Sequence, residues 1–117
     1  MSSLNTFGAI MTYAIDLETR LRDYYQSAGN SDRAAAADKR RATLERVRRE
    51  NVTEIKLEPI EGLDEADYAL DLASADPQTV ERTAAQFYAD TAPKLNVREA
   101  QRALERCAKQ HAEAAEA

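Results

Sequence analysis

The sequence predicts an all-α fold, four helices in two hairpins joined by a long central crossover. Three observations carry that expectation. Charged residues make up 32% of the chain, alanine is abundant, and three Gly, three Pro and no Trp leave too few turn residues for a sandwich or barrel. Apolar residues recur at spacings of three and four, the signature of a helix with one buried stripe. Helix stop and start signals then divide those stripes. At 117 residues the chain makes one domain, large enough for a single modest core.

Taken in order, the first helix is expected over 4–28. It carries Phe7, Met11, Ala14, Glu18, Leu21, Tyr25 and Ala28 on one stripe and stops at Gly29-Asn30. Ser31 or Asp32 caps a second helix over 32–50, whose apolar face is thin: Ala34, Ala37, Leu44 and Val47, with Arg41 on that face and Asp38 at its edge. Over 51–63 no helical or strand period survives and Pro59 blocks a helix, so this stretch reads as an extended crossover. The second hairpin occupies 64–115. Asp64 caps a segment bearing Leu70, Leu72 and Ala73. Asp76-Pro77 restarts a helix over 77–92 that presents Val80, Glu81, Ala84, Phe87, Tyr88 and Thr91. Asn96 and Glu99 form a capping box for the last helix, with Val97, Ala100, Leu104, Cys107 and His111 on one face.

Two carboxylates stand out. Glu18 sits within its apolar stripe, and the phrase Glu18, Leu21, Tyr24, Tyr25 returns 63 residues later (81 − 18) as Glu81, Ala84, Phe87, Tyr88. A carboxylate on a core-facing stripe is costly unless it is neutralised, hydrogen-bonded or bound to a cation. One such group in each half points to a shared polar site between the hairpins.

These residues resemble the rubrerythrin branch of the ferritin-like superfamily. Those proteins repeat a helix bearing Glu with Tyr seven residues on, followed by a helix bearing Glu-x-x-His, and so surround two iron atoms. Glu18 with Tyr25 and Glu81 with Tyr88 match the first element of each half. The second element is degenerate: Asp38-Lys39-Arg40-Arg41 in the first half and Ala108-Lys109-Gln110-His111 in the second. The resemblance implies a ferritin-like four-helix bundle with Glu18, Asp38, Glu81 and His111 as the surviving metal ligands, iron as the metal, and Tyr25 and Tyr88 as hydrogen-bond donors to the carboxylates. Arginine cannot ligate a metal. Arg41 is therefore expected as an internal counter-ion to Glu18 and Glu81.

Three functions follow. The first is a structural or partner-binding module with an incomplete di-metal site and no oxidase activity. The second is an iron-binding protein that uses Glu18, Glu81 and His111. The third is an interaction protein acting through the basic stretch Arg33, Lys39, Arg40, Arg41, Arg46, Arg48 and Arg49, which contrasts with the acidic run from 58 to 81. A net charge of −5 and the lack of interleaved aromatics argue against nucleic acid. The thin second helix suggests a homodimer. The protein partner stays unspecified. One cysteine, no membrane-length apolar run and no secretory layout make a cytoplasmic protein the expectation. No Cys-x-x-Cys pair exists for electron delivery, which counts against an autonomous peroxidase. Cys107 reads as a small inert core residue.

Overall fold

A computed structural model describes residues 4–51 and 60–117 of the chain. Among them lie four α-helices, α1 (Phe7–Ser27), α2 (Ser31–Glu50), α3 (Pro77–Thr91) and α4 (Arg98–Glu116), with short 3-10 turns at Glu65–Tyr68 and Ala92–Lys94 and no strand. The all-α expectation holds. The crossover expected over 51–63 falls mostly on residues 52–59, outside the described residues.

Helix boundaries follow local chemistry. Thr6 Oγ1 accepts from Ala9 N at 3.0 Å and starts α1. Gly29, at φ +77°, takes the left-handed turn that ends it, while Asn30 N donates to Tyr25 O at 2.9 Å. Asn30 then caps α2 through Arg33 N at 3.1 Å, one residue before the expected cap. Asp76 caps α3 through Thr79 N at 2.8 Å with Pro77 opening the helix, as the sequence predicts. The capping box expected at Asn96 does not form. Val97 occupies the cap position of α4 without a side-chain bond, and Glu99 accepts from Asn51 Nδ2 at 2.9 Å instead.

Each hairpin packs as a unit, α1 on α2 and α3 on α4, and α2 lies antiparallel to α4. One core runs through all four helices. Phe7, Ile10, Met11, Ala14, Leu17, Leu21 and Tyr25 come from α1, and Val80, Ala84, Phe87 and Tyr88 from α3. From α2 it takes Ala34, Ala37, Leu44 and Val47, small enough for close helix approach, and from α4 Ala100, Ala103, Leu104 and Cys107. Each fully buried Leu, Ile or Phe contributes about 1.5–3 kcal/mol.

The segment 60–76 lies as a strap along α1. Tyr13 Oη donates to Tyr68 O at 3.3 Å, Arg20 Nη2 to Leu70 O at 3.1 Å, and Tyr24 Oη to Ala75 O at 2.8 Å. Tyr68 turns inward against Phe87, with ring centroids 5.4 Å apart, and its hydroxyl donates to Asp90 at 2.6 Å. Asp64 caps only the 3-10 turn that carries Tyr68. No described helix is long and apolar enough to cross a membrane.

Candidate functional site: a buried carboxylate–imidazole–guanidinium cluster

Glu18, Glu81 and His111 are at most 1% exposed and meet in the centre of the core. All three lie on stripes otherwise filled by apolar residues, so helix packing carries them inward whatever their charge. The His111 ring stands between the two carboxylates. Nε2 contacts Glu18 Oε2 at 2.8 Å, and Nδ1 makes a short contact with Glu81 Oε2.

A proton count constrains the state of this trio. A carboxylate oxygen facing a ring nitrogen needs one proton between them, and two such contacts need two. With both carboxylates ionised, the ring is an imidazolium donating from both nitrogens. Burial alone would lower the His111 pKa, but the hydrogen bonds to Glu18 and Glu81 outweigh it and raise the pKa above 6.5. Burial would likewise raise the pKa of both carboxyl groups. The hydrogen bond and charge of His111, helped by Arg40, hold both below the usual carboxylate value.

The second cation is Arg40. Its Nε donates to Glu18 Oε1 at 2.8 Å, its Nη1 donates to Gln110 Oε1 at 3.1 Å, and it is 8% exposed. Two carboxylates, one imidazolium and one guanidinium sum to zero charge, which removes the main objection to burying any of them. Arg33 stands at the rim, with Nη1 at 4.0 Å from Glu81 Oε1 and 3.4 Å from the Tyr25 hydroxyl, while Nη2 donates to Ala114 O at 3.0 Å.

Two tyrosines exchange partners between the hairpins. Tyr25 donates to Glu81 Oε1 and Tyr88 to Glu18 Oε2, each at 2.6 Å. The repeat seen in the sequence is thus a reciprocal clasp in which the tyrosine of each half holds the carboxylate of the other. Tyr88 also stacks on His111, with centroids 5.6 Å apart and planes within 5°. Burial raises both hydroxyl pKa values, and the adjacent carboxylates raise them further. They remain donors at all ordinary pH. Tyr88→Phe is expected to cost about 1.5–3 kcal/mol, the range for a hydrogen bond to a charged group. Tyr25→Phe should cost less, because Arg33 remains beside Glu81. Urea unfolding of both variants checks the order.

Of the residues singled out in the sequence, Glu18, Glu81, His111, Tyr25 and Tyr88 converge. Asp38 and Arg41 do not. Asp38 lies on the outer α1–α2 groove, where it accepts from Arg41 Nε at 3.0 Å and Arg22 Nη1 at 3.2 Å. Arg41 also donates to Glu45 Oε2 at 2.8 Å, so it is a surface ion-pair residue and Arg40 is the internal counter-ion. The reason is helical phase. At about 100° per residue, positions 40 and 41 flank opposite edges of the Ala37–Leu44 stripe, and position 40 is the edge facing α4. Nothing in the sequence marked Arg33 or Gln110 as part of this site, since each acts through contacts that only the folded chain brings together.

Cys107 is buried beside the cluster, and burial pushes its thiol up to about 12, so it carries no thiolate near neutral pH. Every buried side-chain nitrogen and oxygen among the described residues has a hydrogen-bond partner.

The donor types suit iron, but their arrangement does not. Glu18, His111 and Glu81 bond to one another instead of surrounding a common centre, and Arg40 holds the remaining oxygen of Glu18. Among the described residues, no group of three or more His, Cys, Asp or Glu is disposed to hold a metal ion. No protein-family model, curated protein or solved structure matches the chain.

Proposed function

We propose that this chain is a ferritin-like four-helix bundle in which Arg40 and His111 supply the positive charge that iron supplies in di-iron relatives of that fold. It acts as a structural or partner-binding module without oxidase activity. The observation that carries this reading is the His111 ring held by both carboxylates, with the Arg40 guanidinium on the outer oxygen of Glu18. An internal ion cluster of this kind contributes little net stability against a well-packed apolar core. What it confers is a unique alignment of two hairpins, because each half satisfies the buried charge of the other.

A second reading retains metal binding. Glu18, Glu81 and His111 converge, and two carboxylates with one imidazole form a donor set for iron with open positions. Binding would require His111 to lose one ring proton and leave one carboxylate, against the nearby Arg40 charge.

Anaerobic ferrous-ion titration of metal-stripped protein, with elemental analysis of untreated material, separates the two. The expected result is no stoichiometric binding at neutral pH with the fold intact. Uptake of about one or two ions per chain, abolished by Glu18→Ala and by Glu81→Ala, would overturn the metal-free reading and reopen the enzyme question.

A further inference from the structure

The charge on this surface is divided, and its two parts sit on different segments of the fold. The last turn of α2 runs beside the first turns of α4, as the Asn51–Glu99 bond shows. That end carries Arg48 and Arg49 on α2, and Arg98, Arg102 and Arg106 on α4. All five are exposed, and none forms an ion pair among the described residues. The three α4 arginines recur at every fourth residue, so they form one row about 6 Å apart, and with Glu99, which is held by Asn51, they line a shallow groove of about 320 Å³. Elsewhere on α2, Arg41 pairs with Asp38 and Glu45, and Arg46 pairs with Glu50. Five arginines without an ion pair are therefore gathered at this end.

The complementary charge lies on the strap. Glu61, Asp64, Asp67 and Asp71 are exposed and form no ion pair among the described residues. Asp64 and Asp71 are oriented by backbone N–H groups, of Ala66 at 3.0 Å and Ala73 at 3.1 Å, which fixes their carboxylates outward at no further entropic cost. The strap rests on α1 and α3, whereas the arginine row belongs to α2 and α4. No ion pair joins the two among the described residues.

We propose that the arginine face at the α2–α4 end docks on the acidic strap of a second copy of this chain, giving head-to-tail self-association. A polyanion such as nucleic acid is the less favoured occupant. The chain is acidic overall, no aromatic side chain interleaves with the arginines to stack a base, and the matching acidic surface is present on the chain itself. The contact is heterologous, joining two different surfaces, so it builds dimers first and longer arrays or rings as concentration rises. It depends on screened surface charge and does not rest on what the core cluster binds.

Sedimentation velocity over a concentration series, at about 20 mM and about 500 mM NaCl, reads this directly. At low salt the mean mass is expected to rise with concentration above the 13.0 kDa of one chain, and to return to it at high salt. The pair Arg102→Gln, Arg106→Gln and the pair Asp67→Asn, Asp71→Asn should each leave the protein monomeric, with circular dichroism reporting an unchanged fold. Asn keeps the capping oxygen at position 71. Mixed in equal amounts, the two variants should form a complex of two chains and stop there, because each retains only one of the two surfaces. A chain that stays monomeric at low salt, or a dimer that ignores both salt and these substitutions, would overturn the proposal. Retention of a monomeric protein on heparin or DNA through the same arginines would overturn it in favour of a polyanion.

Discussion

Arg40→Met is expected to cost about 3–5 kcal/mol, while Arg41→Met, one residue away, leaves the unfolding midpoint unchanged. The contrast follows from burial. Methionine keeps most of the aliphatic stem of Arg40 but removes the guanidinium that faces Glu18 Oε1 at 2.8 Å. Glu18 then keeps His111 and Tyr88 but loses a full opposite charge in a fully buried setting. Removing one partner of a buried pair is far more damaging than the pair is stabilising, because the other charge stays behind. Arg41 in contrast bonds two partly exposed carboxylates at the surface, where solvent screening leaves little to lose. For a domain whose total stability is about 5–15 kcal/mol, the Arg40 variant should melt roughly 10–20 °C lower. A second substitution tests the cause. Adding Glu18→Gln to Arg40→Met removes the stranded charge, and much of the loss should return. If the double variant is no better than Arg40→Met alone, the damage lies in packing and not in charge.

The same pair of arginines shows how far the sequence carries. The four helices were legible because their stripes, caps and stop signals are local: Gly29 ends α1 and Asp76-Pro77 opens α3 where expected. The shared site was legible because Glu18 and Glu81 repeat within otherwise apolar stripes and each has a tyrosine seven residues on. The identity of the counter-ion was not. Matching Asp38-Lys39-Arg40-Arg41 to a Glu-x-x-His pattern aligns position 41 with the site, but that pattern does not set the rotation of α2 about its own axis. Packing against α4 sets it, and turns position 40 inward. Asp38 follows the same rotation out to the groove where Arg22 meets it. The strap was illegible for another reason: Tyr68 is an inward-facing aromatic in a segment without helical or strand period, and only contact with Phe87 shows that it belongs to the core.

His111→Leu is expected to carry the pH response of the protein into the range below 6.5. In the parent chain, the folded-state pKa of His111 is raised above its ordinary 6.5. Its contribution is fully present below 6.5 and is lost as pH rises through the raised value. Glu18 and Glu81 are depressed below 4.5, so their contribution is present above 4.5 and lost as pH falls through the lowered values. Stability due to the cluster is therefore greatest between about 4.5 and 6.5 and declines on both sides. Leucine fills a similar volume but leaves Glu18 and Glu81 facing each other with Arg40 as the only fully engaged cation. The cost near pH 7 should be about 3–5 kcal/mol, as for any buried charge left without its partner. One of the two carboxyl groups then binds a proton more tightly in the folded state than in the unfolded state. The folded variant takes up protons, and its stability rises as pH is lowered from 7 towards 5. Denaturant midpoints measured from about pH 6.5 down to about 5 decide the matter: a rising midpoint in His111→Leu beside a flat one in the parent establishes His111 as the charge that holds the two carboxylates ionised. Parallel curves for the two proteins would show instead that the imidazole is neutral and that one carboxyl group already carries the bridging proton.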